Sequence, residues 1–365
     1  VRPEFVINPD LLRAFADVAR TVFGYQAEAI AARDDKFTPA KLAQAVQKIS
    51  DFYISKPSGK TPYELPGAPA AYLLYYTLLN HVRTLAVFRE AQNLGFFEGI
   101  HRAIDWGSGM GAAWLALQDV APEVLGSSLA FDRSTQALDV QRALRRIFAA
   151  DAVTEKHPLT IDDRKLREFM AGGNPDKTMA VFSYSLTELD GLPDWVLDCE
   201  ALAIIEPGTN QDGRRLLAIR ENLIRQGYKV WAPCTHQGAC PLLTHSKTDW
   251  CHDRIQWQQP DLYSAIEQHL PMKHRTLVFS YLLARKKLAP PAKMISAARL
   301  TGDQQNLKGQ TRQMVCKGTE REFLSWQHRH GEPPEFARGE LVQIDPAAPK
   351  KGADLRVIAG QVVRA

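Results

Sequence analysis

Three of the chain's five cysteines, Cys234, Cys240 and Cys251, fall within residues 231–253, which also hold three of its ten histidines. Thiolates are ligands for soft and borderline metals, so this density reads first as a metal site and second as core packing. Three thiols cannot close a tetrahedral site. A fourth ligand is expected from elsewhere, with Cys316 and Cys199 as the candidates. The expectation is spatial: a segment far away in the chain folds back onto this loop. Cys234 and Cys240 stand too far apart for the CxxC knuckle of a zinc ribbon. Wide spacings with a distant fourth ligand are tolerable for an iron–sulfur cluster, for which four cysteines are usual. Zinc stays open, held by four cysteines or by three with His236, His245 or His252 as the substitute ligand.

A second group could do chemistry of another kind. Asp105-Trp106-Gly107-Ser108-Gly109-Met110-Gly111 follows a short apolar run and opens a helical one. Gly107, Gly109 and Ala112 satisfy the dinucleotide fingerprint with Ala in its third place. Asp105, Gly107, Gly109 and Gly111 satisfy the Asp-x-Gly-x-Gly-x-Gly pattern of S-adenosylmethionine (SAM) methyltransferases. Either way, glycine lets the backbone approach a ligand and take angles that a Cβ forbids. Asp132, one strand later, is placed to hold ribose hydroxyls in both patterns. Asp105 discriminates: it would repel a pyrophosphate but can help hold the cationic amino-acid end of SAM. SAM is the expected ligand, with Ser108 as a further loop contact, and NAD is the more distant reading. Ser183, Tyr184 and Glu206 follow later strands, whose carboxyl ends face the ligand crevice of an open α/β sheet.

These groups need a scaffold. Residues 8–95 read as helical: Asn8-Pro9 and Thr38-Pro39 are cap-plus-proline starts. Leu11, Phe15, Val18 and Val22 recur at helical spacing, as do Leu42, Val46, Ile49 and Tyr53. A Pro- and Gly-rich linker at 56–69 precedes a long apolar helix from about residue 70 to 94. Asn80, His81 and Arg83 interrupt that run, so it reads as a buried helix and not a membrane span. No chemistry is visible in this part. From Arg102 onward strands alternate with helices, at 103–106, 128–131, 179–184, 201–206, 228–232 and 275–284, which predicts a doubly wound parallel sheet. Beyond Lys287, short β-like runs sit among Gly, Pro and charged residues. The expected division is a helical region at 1–95, a SAM-binding Rossmann-like domain at 96–287 with a cysteine-bearing insertion at 234–274, and a small basic β-rich domain at 288–365.

A chain of 365 residues, 45% hydrophobic and 24% charged, has the balance of a globular protein of two or three domains. Its net charge of +4 is unevenly spread: residues 285–365 carry 15 Lys+Arg against 8 Asp+Glu. That surplus points to an acidic partner, most simply nucleic acid. Lys286, Lys287, Lys308, Arg312 and Lys317 are the candidate phosphate contacts, against the alternative of a solvated basic face. Five unevenly spaced cysteines argue against a disulfide framework and for a reducing compartment. Val1-Arg2-Pro3-Glu4-Phe5 resembles neither a secretory signal nor a transit peptide, and without an initiating Met it suggests missing upstream sequence. The expected compartment is a bacterial cytosol, with the mitochondrial matrix as the alternative.

Taken together, the chain resembles the methyltransferase-like assembly factors of the ribosomal small subunit, found in mitochondria and, as homologues, in bacteria. The likeness is carried by residues 105–111, by Phe182-Ser183-Tyr184-Ser185-Leu186-Thr187-Glu188-Leu189 and by Glu206-Pro207-Gly208-Thr209. Pro233-Cys234, Cys240-Pro241, Asp249-Trp250-Cys251-His252 and Phe279-Ser280-Tyr281 extend it, over roughly residues 70–320. The glycine loop is common to many families, whereas the cysteine stretch in this order is specific. The resemblance implies a SAM-type Rossmann domain, a helical N-terminal region and a small C-terminal β domain. It also implies a [4Fe–4S] cluster on Cys234, Cys240, Cys251 and Cys316, with Cys199 left as a core thiol, and association with small-subunit rRNA.

Turnover is less legible. Exocyclic-amine methyltransferases place an Asn/Asp-Pro-Pro-aromatic turn after the fourth sheet strand; here the region reads Ser183-Tyr184-Ser185-Leu186, with no proline and no amide. Cytosine-C5 enzymes need a cysteine nucleophile, and Cys234 is already taken as a ligand. The sequence expectation is an rRNA-binding assembly factor with a SAM pocket; the alternative is an active small-subunit rRNA methyltransferase.

Overall fold

The N-terminal helices form where caps and periodicity predict them. In this computed structural model, which describes residues 4–24, 37–55, 61–149 and 157–365, α1 (Pro9–Phe23) starts at Asn8, whose side chain accepts from the Asp10 N–H. It stops at Gly24, in the left-handed conformation at φ 71°. Leu11, Phe15 and Val18 are buried, but Val22 on the same expected stripe is exposed. α2 (Pro39–Ser55) buries Leu42, Val46 and Ile49. The first residues of the predicted linker, 56–60, and the N-terminal Val1-Arg2-Pro3 lie outside the described residues. The long apolar helix is α3 (Ala68–Ala71), a π-helical stretch (Tyr72–Thr77) and α4 (Leu78–Asn93) in direct succession. Single π turns inside helices often mark functional positions.

The alternating region follows as β1 (Arg102–Trp106), α5 (Ala112–Val120), β2 (Ser127–Phe131), α6 (Thr135–Phe148), β3 (Leu159–Thr160), α7 (Asp163–Ala171), β4 (Thr178–Ser183), β5 (Ala201–Pro207), α8 (Asn210–Arg225) and β6 (Lys229–Ala232). The cysteine-bearing segment contributes α9 (Pro241–Thr244), β7 (Asp253–Gln256) and α10 (Asp261–Gln268) before β8 (Thr276–Arg285). The strand order is β3-β2-β1-β4-β5-β8-β6, with β7 against β8. This is a Rossmann-like α/β sheet, parallel from β3 to β5. The fully parallel expectation fails at one edge, because β8 runs antiparallel to β5, β6 and β7. The cause is the missing crossover. β6 ends on the carboxyl edge, the inserted segment stays there, and the chain re-enters the sheet from that side.

α11 (Ala292–Ser296) leads into β9 (Ala298–Leu300), β10 (Gln305–Leu307), β11 (Gln310–Cys316), β12 (Glu322–Gln327), β13 (Leu341–Ile344), β14 (Lys350–Lys351), β15 (Asp354–Val357) and β16 (Val362–Arg364). They form a second sheet in the order β14-β15-β12-β11-β9-β13-β16, with β10 on β11. This sheet encloses its own core of Leu300, Val315, Leu324, Trp326, Val342, Leu355 and neighbours. The N-terminal helices instead share one core with the first sheet: Val46, Leu74, Val82 and Phe88 cluster with Trp114, Leu117 and Ile205. Buried Arg299 ties the regions together. Its Nε donates to the Pro233 carbonyl at 2.5 Å, its Nη1 to the Gly339 carbonyl at 2.8 Å, and its Nη2 pairs with Glu90 on α4.

Candidate functional site

The order reverses between β1 and β4, and the crevice beyond their carboxyl ends is where open α/β sheets take ligands. The glycine loop leaves β1 there. Gly107, Gly109 and Gly111 all have positive φ, at 67°, 50° and 93°. Their spatial needs differ. A Cβ on Gly107 would fall 2.3 Å from the Ser185 Cβ, and one on Gly111 2.7 Å from the Gln141 Cγ. A Cβ on Gly109 would meet only the Tyr63 hydroxyl, at 3.3 Å. Two of the three glycines are thus demanded by the protein's own packing, and Gly109 alone fronts the crevice. Ser185 closes the turn by donating to the Trp106 carbonyl at 2.6 Å, and Ser108 donates to Gln141 Oε1 at 3.1 Å.

The acidic groups around this loop are in contrasting states. Asp132 accepts from the Gly109 N–H and the Ser134 N–H, each at 2.8 Å, so it ties the loop to Ser134, the N-cap of α6. Each oxygen keeps a lone pair for a further donor. Asp105 is buried with neither oxygen hydrogen-bonded. Burial pushes its pKa up to about 7, with nearby Arg145 pulling the other way. Arg145 is itself buried, its Nε and Nη1 have no acceptor, and it lies 5.0 Å from the Trp114 ring centre. Glu206 accepts from the Leu186 N–H at 2.8 Å through one oxygen; the other is unpaired, and burial pushes its pKa up to about 8. Tyr184 carries an unpaired buried hydroxyl and is the one non-glycine residue with positive φ among the described residues, at 60°. Such strain persists only where surroundings enforce it, and it concentrates at functional sites. The Ser183 hydroxyl meets Thr84 at 3.0 Å. Buried polar atoms without partners are rare, and several in one crevice form an unfilled acceptor and donor set.

The N-terminal region, expected to hold no chemistry, contributes to this crevice. Tyr63 reaches over Gly109, Thr84 touches the tip of β4, and Arg83 sits 5.2 Å from the Tyr184 ring centre. The tyrosine contacts had no sequence signal, because ordinary helical periodicity hides them. Arg83 did have one: a charge inside an apolar run.

The cysteines come together from two ends of the chain. Cys234, Cys240, Cys251 and Cys316 line one small cavity with His236, Arg220 and Met314. β6 delivers Cys234, Cys240 is the N-cap residue of α9, and β11 ends at Cys316. Cys199 lies apart in the core beside Val196 and Leu202. Arg220 is fully buried and donates from Nε to the Cys234 sulfur at 3.1 Å and from Nη2 to the His236 carbonyl at 2.8 Å. His236 Nε2 lies 3.6 Å from the Cys316 sulfur, and its Nδ1 is unpaired. Burial first, then the neighbouring thiols, push Cys251 well up and Cys316 to about 12. Among the described residues, no group of three or more His, Cys, Asp or Glu side chains is arranged to hold a metal ion.

The five basic candidates do not form one patch. Lys286 donates to the Leu197 carbonyl at 2.8 Å and Lys287 pairs with Asp176, both at the end of β8. On the second sheet, Arg312 pairs with Asp354 at 2.7 Å and Lys317 with Glu322 at 3.8 Å. Lys308 is exposed at the β10–β11 turn and has no partner among the described residues. Among those residues, no helix is long and apolar enough to cross a membrane.

Comparison with solved structures gives remote likenesses. A precorrin-6y C5,15-methyltransferase from Geobacter metallireducens is 15% identical, with 54% of this chain and 87% of that chain covered and a TM-score of 0.33. A SAM-dependent methyltransferase from Thiobacillus denitrificans, in complex with S-adenosyl-L-homocysteine, is 14% identical over 56% of this chain and 91% of that chain, at 0.30. A SAM-dependent methyltransferase from Archaeoglobus fulgidus is 15% identical over 58% of this chain and all of that one, at 0.29. No curated protein matches the chain. The sequence profile described as "Mitochondrial small ribosomal subunit Rsm22" does match, over residues 76–339, a stretch that takes in the glycine loop and all four cavity cysteines. On that match, well over half of its length, the chain belongs to the Rsm22 family.

Proposed function

We propose that this protein is a SAM-binding assembly factor of the small ribosomal subunit that contacts rRNA through its C-terminal sheet. The observation that carries the reading is Asp105: a buried carboxylate with both oxygens unpaired, beside a glycine loop at the point where the strand order reverses. Buried Arg145 lies near it, but both oxygens remain without a donor, which the ammonium at the amino-acid end of SAM could supply. Asp132 keeps lone pairs for ribose hydroxyls, and Gly109 leaves its backbone open to close approach. When bound, SAM supplies an electrophilic methyl group. The chain supports binding it better than using it. The turn 183–186 offers no amide to orient an acceptor amine, Ser183 is engaged by Thr84, and Cys234 is held by Arg220.

The same reading assigns a [4Fe–4S] cluster to Cys234, Cys240, Cys251 and Cys316. A single zinc ion about 2.3 Å from each thiolate needs sulfurs roughly 3.8 Å apart, and zinc is the alternative occupant. A four-iron cluster holds one thiolate per iron and so takes thiols more widely spaced; the four cysteines line one cavity. The donor set fits: four cysteines, a buried guanidinium on one sulfur and an imidazole near another. Such a cluster would pin the second sheet, through Cys316, to the first.

The family's name supports a small-subunit partner and, through the word mitochondrial, the matrix alternative to the bacterial cytosol expected from the sequence. The test is a titration of the purified protein with SAM and, separately, with small-subunit rRNA at rising salt. Saturable SAM binding is expected, with RNA affinity falling steeply as salt is added. Lys308→Ala, which removes an unpaired cation, lowers RNA affinity a few-fold and the salt slope by about one. Absence of SAM binding, or a flat salt response, overturns the respective half of the reading.

A further inference from the structure

Arg83 is the one charged group of the apolar helical run 70–88, and it is only 8% exposed. Its Nη1 donates to Asn80 Oδ1 at 3.2 Å and its Nε has no acceptor. Among the described residues no carboxylate pairs with it directly; its neighbours are the Tyr184 ring at 5.2 Å, Tyr76, Tyr263 and His274, the last of which is paired with buried Glu267 at 3.0 Å. A buried guanidinium without a counter-anion is costly, and a chain gains nothing in stability by keeping one.

Its location indicates what would pair with it. The next residue, Thr84, rests on Ser183 at the tip of β4, so Arg83 stands beside the strained Tyr184 at the crevice. On the adjacent strand β1, Asp105 pairs in register with Val181, two residues before Ser183. The crevice thus has an unpaired carboxylate on β1 and an unpaired guanidinium at the tip of β4. Together they complement a zwitterion, whereas a nucleotide phosphate would satisfy the guanidinium and be repelled by Asp105.

We propose that Arg83 binds the α-carboxylate of an amino-acid-bearing ligand, which in the SAM reading is the methionyl end of SAM. The inference rests on that reading and deepens it. Arg83 and Asp105 hold the two ends of one zwitterion, so the site selects for an intact amino acid and not for adenosine alone.

The experiment compares SAM with decarboxylated SAM, which lacks only the carboxylate, on the wild-type protein, Arg83→Gln and Arg83→Lys. The wild type is expected to prefer SAM by roughly 10- to 100-fold, the range of a charge-assisted pair. Arg83→Gln should lose that preference while binding the decarboxylated ligand as before, and Arg83→Lys should retain part of it. A structural role would give a different signature: both ligands weakened together and a lower melting temperature without ligand. The proposal expects the ligand-free Arg83→Gln protein to melt at or above the wild-type temperature, because an unpaired buried charge has been removed. If the glutamine variant does not fold, Arg83→Lys decides: a reduced preference for SAM supports the assignment, and an unchanged preference overturns it. Equal wild-type affinity for the two ligands overturns the role of Arg83 and leaves SAM binding standing; no binding of either overturns both.

Discussion

The glycine-loop crevice and the cysteine cavity are both polar sites, but they are unfinished in opposite ways. In the crevice the protein's own groups go unpaired: Asp105, Tyr184, one oxygen of Glu206 and Arg83 Nε have no partner. In the cavity two of the thiols already have nitrogen neighbours, Arg220 on Cys234 and His236 near Cys316. The first pattern suits a ligand that brings its own hydrogen-bonding groups and comes and goes. The second suits a group held by covalent bonds to sulfur, with the nitrogens tuning it. An exchangeable ligand and a resident one thus leave different marks on the surrounding side chains.

The sharpest way to break this comparison is to remove a cavity ligand. Cys251→Ser and Cys316→Ser are each expected to abolish metal binding. Anaerobically purified wild type should carry about four iron and four sulfide, and Cys199→Ser should keep them, because that thiol packs in the core. Losing the cluster also frees the second sheet, so melting should fall by on the order of 5 °C or more. Metal-free wild-type protein would remove the distinction between a resident and an exchangeable ligand.

Next in size is the glycine loop. Gly107→Ala puts a methyl into Ser185, whose hydroxyl closes the turn, and should cost stability and SAM binding together. Gly109→Ala adds the cost of its left-handed backbone, about 1 kcal/mol, and a tight 3.3 Å approach to the Tyr63 hydroxyl, and should lose SAM affinity out of proportion to its melting temperature. Equal behaviour of the two would mean that Gly109 is packed like its neighbour.

How far each site was legible in the sequence follows from the same difference. The loop could be found because its residues are contiguous and its backbone needs glycine. The three clustered cysteines could be found because thiols are scarce. The fourth could only be narrowed to Cys316 or Cys199, since what brings Cys316 to the loop is the pairing of β11 in a second sheet. Spacing carries no information on that. Arg220 sits on α8 with nothing local to distinguish it from a surface arginine, yet it is fully buried. Arg83 was visible as a charge in an apolar run, but that feature argued only against a membrane span. The antiparallel β8 escaped notice because a buried strand reads the same in either direction.

The smallest effect expected is a pH dependence, and it separates the sites again. Burial raises the Asp105 pKa to about 7 in the folded, ligand-free protein, against 3.8 for an exposed aspartate. The folded state therefore holds a proton that the unfolded chain releases, and Asp105 favours folding below pH 4. That contribution is lost as pH rises from about 4 to 7, so Asp105→Asn should flatten stability over this window. Ligand binding runs the other way. An ammonium pairs with the ionised carboxylate, so SAM affinity should rise up to about tenfold per pH unit as pH climbs toward 7, then level off. Asp105→Asn should bind SAM more weakly and lose that slope. Metal content should stay level over the same range if the resident group does not depend on the crevice. Calorimetric titration at pH 5.5 to 8 reads the first, and iron content of the same samples reads the second. A flat affinity profile in the wild type would mean that Asp105 does not meet the ammonium, leaving Arg83 to carry the zwitterion's recognition by itself.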